Sequence, residues 1–161
     1  MKAPAASRWQ TGFTLIELMV VVAIIAILAT LAAPSFTTAI ANSRVSSAAS
    51  ELQTLLQYAR SEAVYKRSET SLTASSQTWS AKLGSNVLRE VVVPDSVVVT
   101  PSSDSAAGVQ FDSTGNAKLI SAAEPPYELT LTSSKASRVQ CVTVTRSGVV
   151  RQERKPAGST C

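Results

Sequence analysis

Gly12-Phe13-Thr14-Leu15-Ile16-Glu17-Leu18-Met19-Val20-Val21-Val22-Ala23-Ile24-Ile25-Ala26-Ile27-Leu28-Ala29-Thr30-Leu31-Ala32-Ala33-Pro34 is the stretch that decides the reading of this chain. Phe13 to Ala33 is 21 residues long, and Glu17 is its one charge. At a rise of about 1.5 Å per residue, a helix of this length reaches across a hydrocarbon core of about 30 Å. A charged side chain at the centre of such a helix costs about 2.5–3.5 kcal/mol, and less near the end, where Glu17 lies. Cleavage between Gly12 and Phe13 would put a cationic amine four residues before Glu17. At about 4 Å and an effective dielectric near 20, their attraction is about 4 kcal/mol, comparable to the insertion cost. The positive end of the helix dipole adds a smaller term.

The 161 residues carry a net charge of +4. Residues 1–12 hold Lys2 and Arg8 and no acid. The positive-inside rule keeps that end in the cytoplasm and puts everything after Pro34 outside. A cleaved secretory signal is the competing reading. It would place its small-residue site near Ala32-Ala33, with Pro34 directly following, and its apolar run is longer than usual. An ordinary signal anchor with an incidental Glu17 is another alternative. There is no His, which removes His-based triads, general bases and metal sites. Cys141 and Cys161 both fall in the outside part, where disulfides persist. A bridge between them would contribute about 3 kcal/mol in the chain-entropy model. Two free buried thiols are the alternative.

Past the apolar run the pattern stays helical. Val45, Ala48, Leu52, Leu55 and Ala59 recur at steps of three and four, with Leu56 and Ala63 widening the stripe. Polar residues, Arg60 among them, fill the other face. The expectation is one helix from about Thr14 to Lys66, about 80 Å long, kinked at Pro34, whose nitrogen cannot donate to the carbonyl four residues back. From Arg67 the composition turns to Ser, Thr and Val. Strands are expected at 87–93, 97–100, 108–111, 117–120, 127–132, 138–145 and 149–152, with weaker ones at 70–74 and 78–81. Short connections, including Pro94-Asp95-Ser96, imply antiparallel neighbours. The fold expected is α+β: a long helix with one or two antiparallel sheets packed on its outer half.

The sequence Gly12-Phe13-Thr14-Leu15-Ile16-Glu17 and the apolar run after it resemble the N-terminus of type IV pilins and type II secretion pseudopilins. The resemblance implies a pilin-like fold: 1–12 a leader removed by prepilin peptidase, 13–34 a transmembrane and assembly helix, 35–66 its periplasmic half, and 67–161 a β-rich head. It implies cleavage after Gly12, N-methylation of Phe13, and pairing of Glu17 with the N-terminus of a neighbouring subunit. Phe13, Glu17 and Pro34 fall on the family's first, fifth and twenty-second mature positions. The implied place is the bacterial inner membrane, crossed once, with the N-terminus cytoplasmic and the head periplasmic, before assembly with other pilins or pseudopilins.

In the head, Val109-x-Phe111-Asp112-x-x-Gly115 and Cys141-Val-Thr-Val-x-x-x-Gly148-Val-Val-Arg151, with the terminal Cys161, resemble the GspH/FimT family of minor pilins and pseudopilins. Residues 135–161 carry Lys135, Arg138, Arg146, Arg151, Arg154 and Lys155 against Glu153 alone, a net of +5. Such a patch attracts phosphate backbones. Some FimT-like pilins bind DNA through a Gly-Arg-x-Arg segment near the C-terminus. Here the matching stretch is Gly148-Val149-Val150-Arg151-Gln152-Glu153-Arg154-Lys155, where Arg does not follow Gly and an acid intervenes. If the strand continues, Arg151 and Glu153 share one face and Arg154 takes the other. The expectation is therefore a structural subunit of a type IV pilus or a type II secretion pseudopilus, with no catalysis and no cofactor. The alternative is a DNA-binding minor pilin for DNA uptake that uses Arg146, Arg151, Arg154 and Lys155. A solvated basic edge is the plainer reading of those four.

Overall fold

The computed structural model describes residues 12–161, and for 31–33 the backbone alone. The expected leader, 1–12, therefore lies outside the described residues except for Gly12. Helix α1 runs Leu15–Lys66 and contains Pro34. Thr14 caps its start: the Thr14 hydroxyl oxygen accepts the Glu17 backbone N–H at 3.2 Å. The chain divides into two units, one ending at Phe36 and the other spanning Thr37–Cys161. Among the described residues no single helix is long and apolar enough to cross a membrane. Leu15–Thr30 and Pro34–Lys66 together, as a bent pair, meet the length and composition for one crossing.

In the first unit the apolar side chains face outward all round: Phe13 is 83% exposed, and Leu18, Ile24 and Leu28 are exposed too. The second unit does the reverse. Every residue of the expected stripe, from Val45 through Leu52 and Leu55 to Ala63, is buried. Two antiparallel sheets cover it. The first has five strands: β1 Thr70–Ser75, β2 Thr78–Leu83, β3 Asn86–Val92, β5 Val109–Phe111 and β6 Ala117–Leu119, in the order β3-β2-β1-β5-β6. The second has four: β4 Val98–Pro101, β7 Tyr127–Thr132, β8 Arg138–Val144 and β9 Val150–Pro156, in the order β4-β7-β8-β9. Leu72, Trp79, Val109 and Phe111 of the first sheet and Tyr127, Leu129, Leu131 and Val142 of the second join α1 in one core. Small helix residues, Ala48, Ala49, Ala59 and Ala63, let the sheets approach closely.

Two features differ from the sequence reading. The turn at Pro94-Asp95-Ser96 does not make a hairpin: β3 pairs with β2, and β4 pairs with β7. Val93 and Val97 flank the turn and are both buried, so the segment crosses from one sheet to the other and plugs the core. Burial of two valines there outweighs continued strand pairing. One of the two weaker expected strands, β1, is the centre of its sheet, between β2 and β5. It has one large apolar residue, Leu72. Its other inward position, Thr70, is satisfied by donating its hydroxyl to the Ala59 carbonyl at 2.8 Å. A buried threonine held in this way is invisible to a hydrophobicity pattern.

Candidate functional site

The residues singled out in the sequence occupy three places. Gly12, Phe13 and Glu17 lie at the start of α1, where Gly12 and Phe13 are exposed and nothing approaches within 4 Å of a Cβ on Gly12. Glu17 sits in the first turn, at the positive end of the helix dipole. The capping role of Thr14 was legible in Thr14-Leu15-Ile16-Glu17 as a Thr-x-x-Glu pattern and is an addition to the sequence reading.

Cys141 and Cys161 are joined in a disulfide, their Cα atoms 5.6 Å apart. The bond ties the last residue across the second sheet on the face away from α1. The Thr130 hydroxyl oxygen accepts the Cys161 backbone N–H at 3.3 Å, and the Lys155 ammonium donates to the Thr160 carbonyl at 3.2 Å. Beneath this tail Val139 and Cys141 are buried outside the main core.

The four basic candidates do not converge. Strand β9 does continue, to Pro156, and its register with β8 splits them. Val150, Gln152 and Arg154 lie opposite Val144, Val142 and Gln140 on the face toward α1, where Gln152 accepts the Ser50 hydroxyl at 3.3 Å. Arg151, Glu153 and Lys155 lie opposite Thr143, Cys141 and Val139 on the outer face, with Glu153 between the two cations. Arg146 is in the β8–β9 turn, ion-paired with Glu124 at the rim of a groove of about 610 Å³ that Asp112 and Lys118 also line.

The two head motifs, far apart in the sequence, meet at one side chain. Arg60 of α1 donates through Nε to the Gly115 carbonyl at 3.0 Å and through Nη2 to the Ser147 carbonyl at 3.1 Å. It thus holds the β5–β6 turn and the β8–β9 turn together. The Ala117 backbone N–H completes the junction by donating to the Arg146 carbonyl at 2.8 Å. Gly148 has φ +73°, and a Cβ there would collide with the Gly115 carbonyl oxygen, so both the turn and the contact require glycine. Asp112 stiffens the first turn. Its Oδ1 accepts the Thr114 hydroxyl at 2.6 Å and the backbone N–H groups of Thr114 and Asn116. The Thr114 hydroxyl bond leads in holding the Asp112 carboxyl below its ordinary value, with the backbone bonds adding to it and burial partly opposing. Arg60 is placed by the sequence pattern among the polar residues that fill the other face of the helix. Its position between Ala59 and Ala63, at the border of the buried stripe, was the available signal.

This junction lies inside the segment that defines the relationship. Residues 48–148, from the buried helix to the Gly148 turn, match the family described as Type II transport protein GspH. The chain belongs to the GspH family. Residues 10–33 also match the Prokaryotic N-terminal methylation motif. Among solved structures, the GspH-family chain is similar to the type IV minor pilin FimU of Pseudomonas aeruginosa, with 21% identity and a TM-score of 0.56 over 73% of this chain and 92% of that one. It is similar also to the minor pseudopilin EpsH from the Type 2 Secretion System of Vibrio cholerae, with 11% identity and a TM-score of 0.54 over 72% of this chain and 99% of that one. At these identities the likeness is one of fold: a pilin-like helix with antiparallel sheets. No curated protein matches the sequence.

Proposed function

We propose that this GspH-family chain is a minor subunit of a type IV pilus or a type II secretion pseudopilus. In this reading prepilin peptidase cuts after Gly12 and methylates Phe13, the helix to Pro34 anchors the chain in the inner membrane with the head outside, and the same helix later packs among those of other pilins. The observation that carries it is the joining of a fully exposed apolar helix, with one carboxylate in its first turn, to a head with a closed core of its own. Such a helix needs a hydrocarbon or helical surround. The methylation motif at 10–33 supports the processing step.

N-terminal mass analysis of protein purified from membranes tests the reading. The expected N-terminus is N-methylated Phe13. An N-terminus at Pro34 or Ser35 would mean an ordinary secreted domain. The second reading, a DNA-binding subunit, would rest on Arg151 and Lys155. The interposed Glu153 and the separation of the other two cations favour the structural role.

A further inference from the structure

Around the start of its helix segment, Thr37 to Ser46, the head carries a set of cations that neither the fold nor the proposed assembly uses. Two clefts open there, both against the helix segment that begins at Thr37, three residues beyond the apolar run. One, of about 240 Å³, lies between Ser43 and Ser46 of α1 and the guanidinium-bearing Arg138 and Arg154. The other, of about 330 Å³, lies between Ile40 and Arg44 of α1 and the β7–β8 turn with Lys135. Asn42, which lines the first cleft, grips Ser137 with its side chain, donating to its hydroxyl and accepting its backbone N–H, each at 3.0 Å.

These four cations are unpaid electrostatically. The ion pairs among the described residues are Lys66–Glu62 and Arg146–Glu124, and no acid lines either cleft. The nearest acids in sequence are Glu153, which precedes Arg154 but lies on the outer face of β9, and Asp95, next to Ser96 at the second cleft. Arg138 and Arg154 are diagonal neighbours on adjacent strands, since Gln140 is opposite Arg154 and Arg138 is opposite Pro156. Like charges so placed repel. An anion between them turns the repulsion into two charge-assisted hydrogen bonds, and the serine hydroxyls of α1 supply further donors.

We propose that the two clefts bind the phosphate headgroups of anionic phospholipids at the membrane surface. The proposal rests on the anchor reading given above. Three observations favour lipid over nucleic acid. The helix residues that line the clefts fall within Thr37 to Ser46, inside about 18 Å of helix rise beyond Pro34. The cations are divided between two separate clefts, whereas a duplex presents an unbroken line of charge and calls for a continuous track. Ile40, 52% exposed, stands one helical turn from Arg44 at the mouth of the second cleft, an apolar contact for an acyl chain beside a cation for the headgroup.

The experiment uses the full chain in uncharged detergent micelles, titrated calorimetrically with dioctanoyl-phosphatidylglycerol, dioctanoyl-phosphatidylcholine, inorganic phosphate and a 20-base-pair duplex. Flotation with phosphatidylcholine vesicles is measured in parallel. Phosphatidylglycerol should bind saturably and lose affinity with salt, and phosphatidylcholine should not. Arg138→Gln with Arg154→Gln, and separately Arg44→Gln with Lys135→Gln, should each weaken binding at their own cleft about 25-fold, at about fivefold per cation. Lys118→Gln, the same charge change on β6, should leave binding intact. Near-ultraviolet circular dichroism of the variants monitors the fold. Equal affinity for the two lipids, or wild-type binding by both double variants, overturns the proposal. Inorganic phosphate binding as tightly as the lipid would make these free-phosphate sites. Duplex binding without lipid binding would return the cations to DNA. A chain that floats with vesicles but ignores headgroup charge defeats this proposal alone, whereas one that does not float defeats the anchor reading and this proposal with it.

Discussion

The two parts of α1, Leu15 to Phe36 and Thr37 to Lys66, share one backbone and have opposite surfaces. In the first, Ile24 is 53% exposed and apolar residues occupy every side. In the second, Leu52 is 0% exposed and apolar residues occupy one stripe, with serines and charges elsewhere. A fully buried leucine contributes about 1.5–3 kcal/mol relative to an exposed one. The head gains that within its own chain. In the function proposed, the first part gains it from lipid or from other subunits. One half is therefore specified by intramolecular packing, and the other by what surrounds it.

The largest effect that separates the halves should come from Glu17. Glu17→Ala is expected to lose incorporation into filaments while membrane insertion improves slightly, as read from fractionation and from recovery in sheared filaments or a pseudopilin complex. Glu17→Gln sharpens the test. Glutamine keeps the size and polarity of the side chain, and the Thr14 cap uses only the Glu17 backbone N–H, so this variant removes only the charge. Loss of assembly in both variants assigns the role to the charge, and rescue by Gln assigns it to the polar side chain.

In the other half, Leu52→Ala should destabilise the head by about 2–5 kcal/mol. Ile24→Ala should leave the head's denaturation midpoint unmoved. A shift in the second variant would break the comparison. Cys161→Ser should cost about 3 kcal/mol, from release of the loop closed by Cys141, and reduction of the wild type should reproduce it. Arg60→Ala removes the two charge-assisted bonds to Gly115 and Ser147, an expected loss of about 1.5–3 kcal/mol in chemical denaturation. The smallest effect is from acid. Because the Asp112 carboxyl is held below 3.8 in the fold, its contribution is present above that value and fades as pH falls through the lower folded value. Asp112→Asn should lower stability slightly at neutral pH, bring no loss below the folded value, and so flatten the low-pH end of a stability profile.

Periodicity was enough for α1, because its stripe is buried by a surface that spans the whole head. It was enough for β7 and β8, whose inward positions alternate as Tyr127, Leu129, Leu131 and as Val142, Val144. It failed at β1, where a hydrogen bond from Thr70 does the work of an apolar side chain. It failed at Pro94-Asp95-Ser96, because turn chemistry reports a reversal and not which strand waits on the far side. For the site, the N-terminal residues were legible as local chemistry. The face of each tail cation followed from strand alternation once β9 was known to extend to Pro156. The junction at Arg60 and the pairing of Arg146 with Glu124 were not legible, since both depend on turns brought together from distant parts of the chain.

The Arg60 junction also bears on how the head opens. Its two acceptors lie 55 and 87 residues from Arg60 in sequence, and the Ala117–Arg146 bond joins the margins of the two sheets. Neither sheet can loosen at that end without releasing the other. The head should then behave as one cooperative unit, with amide protons in the β5–β6 and β8–β9 turns exchanging at a common rate set by global unfolding. Its formation must wait for closure of both long loops, which places it among the slower folders for its size.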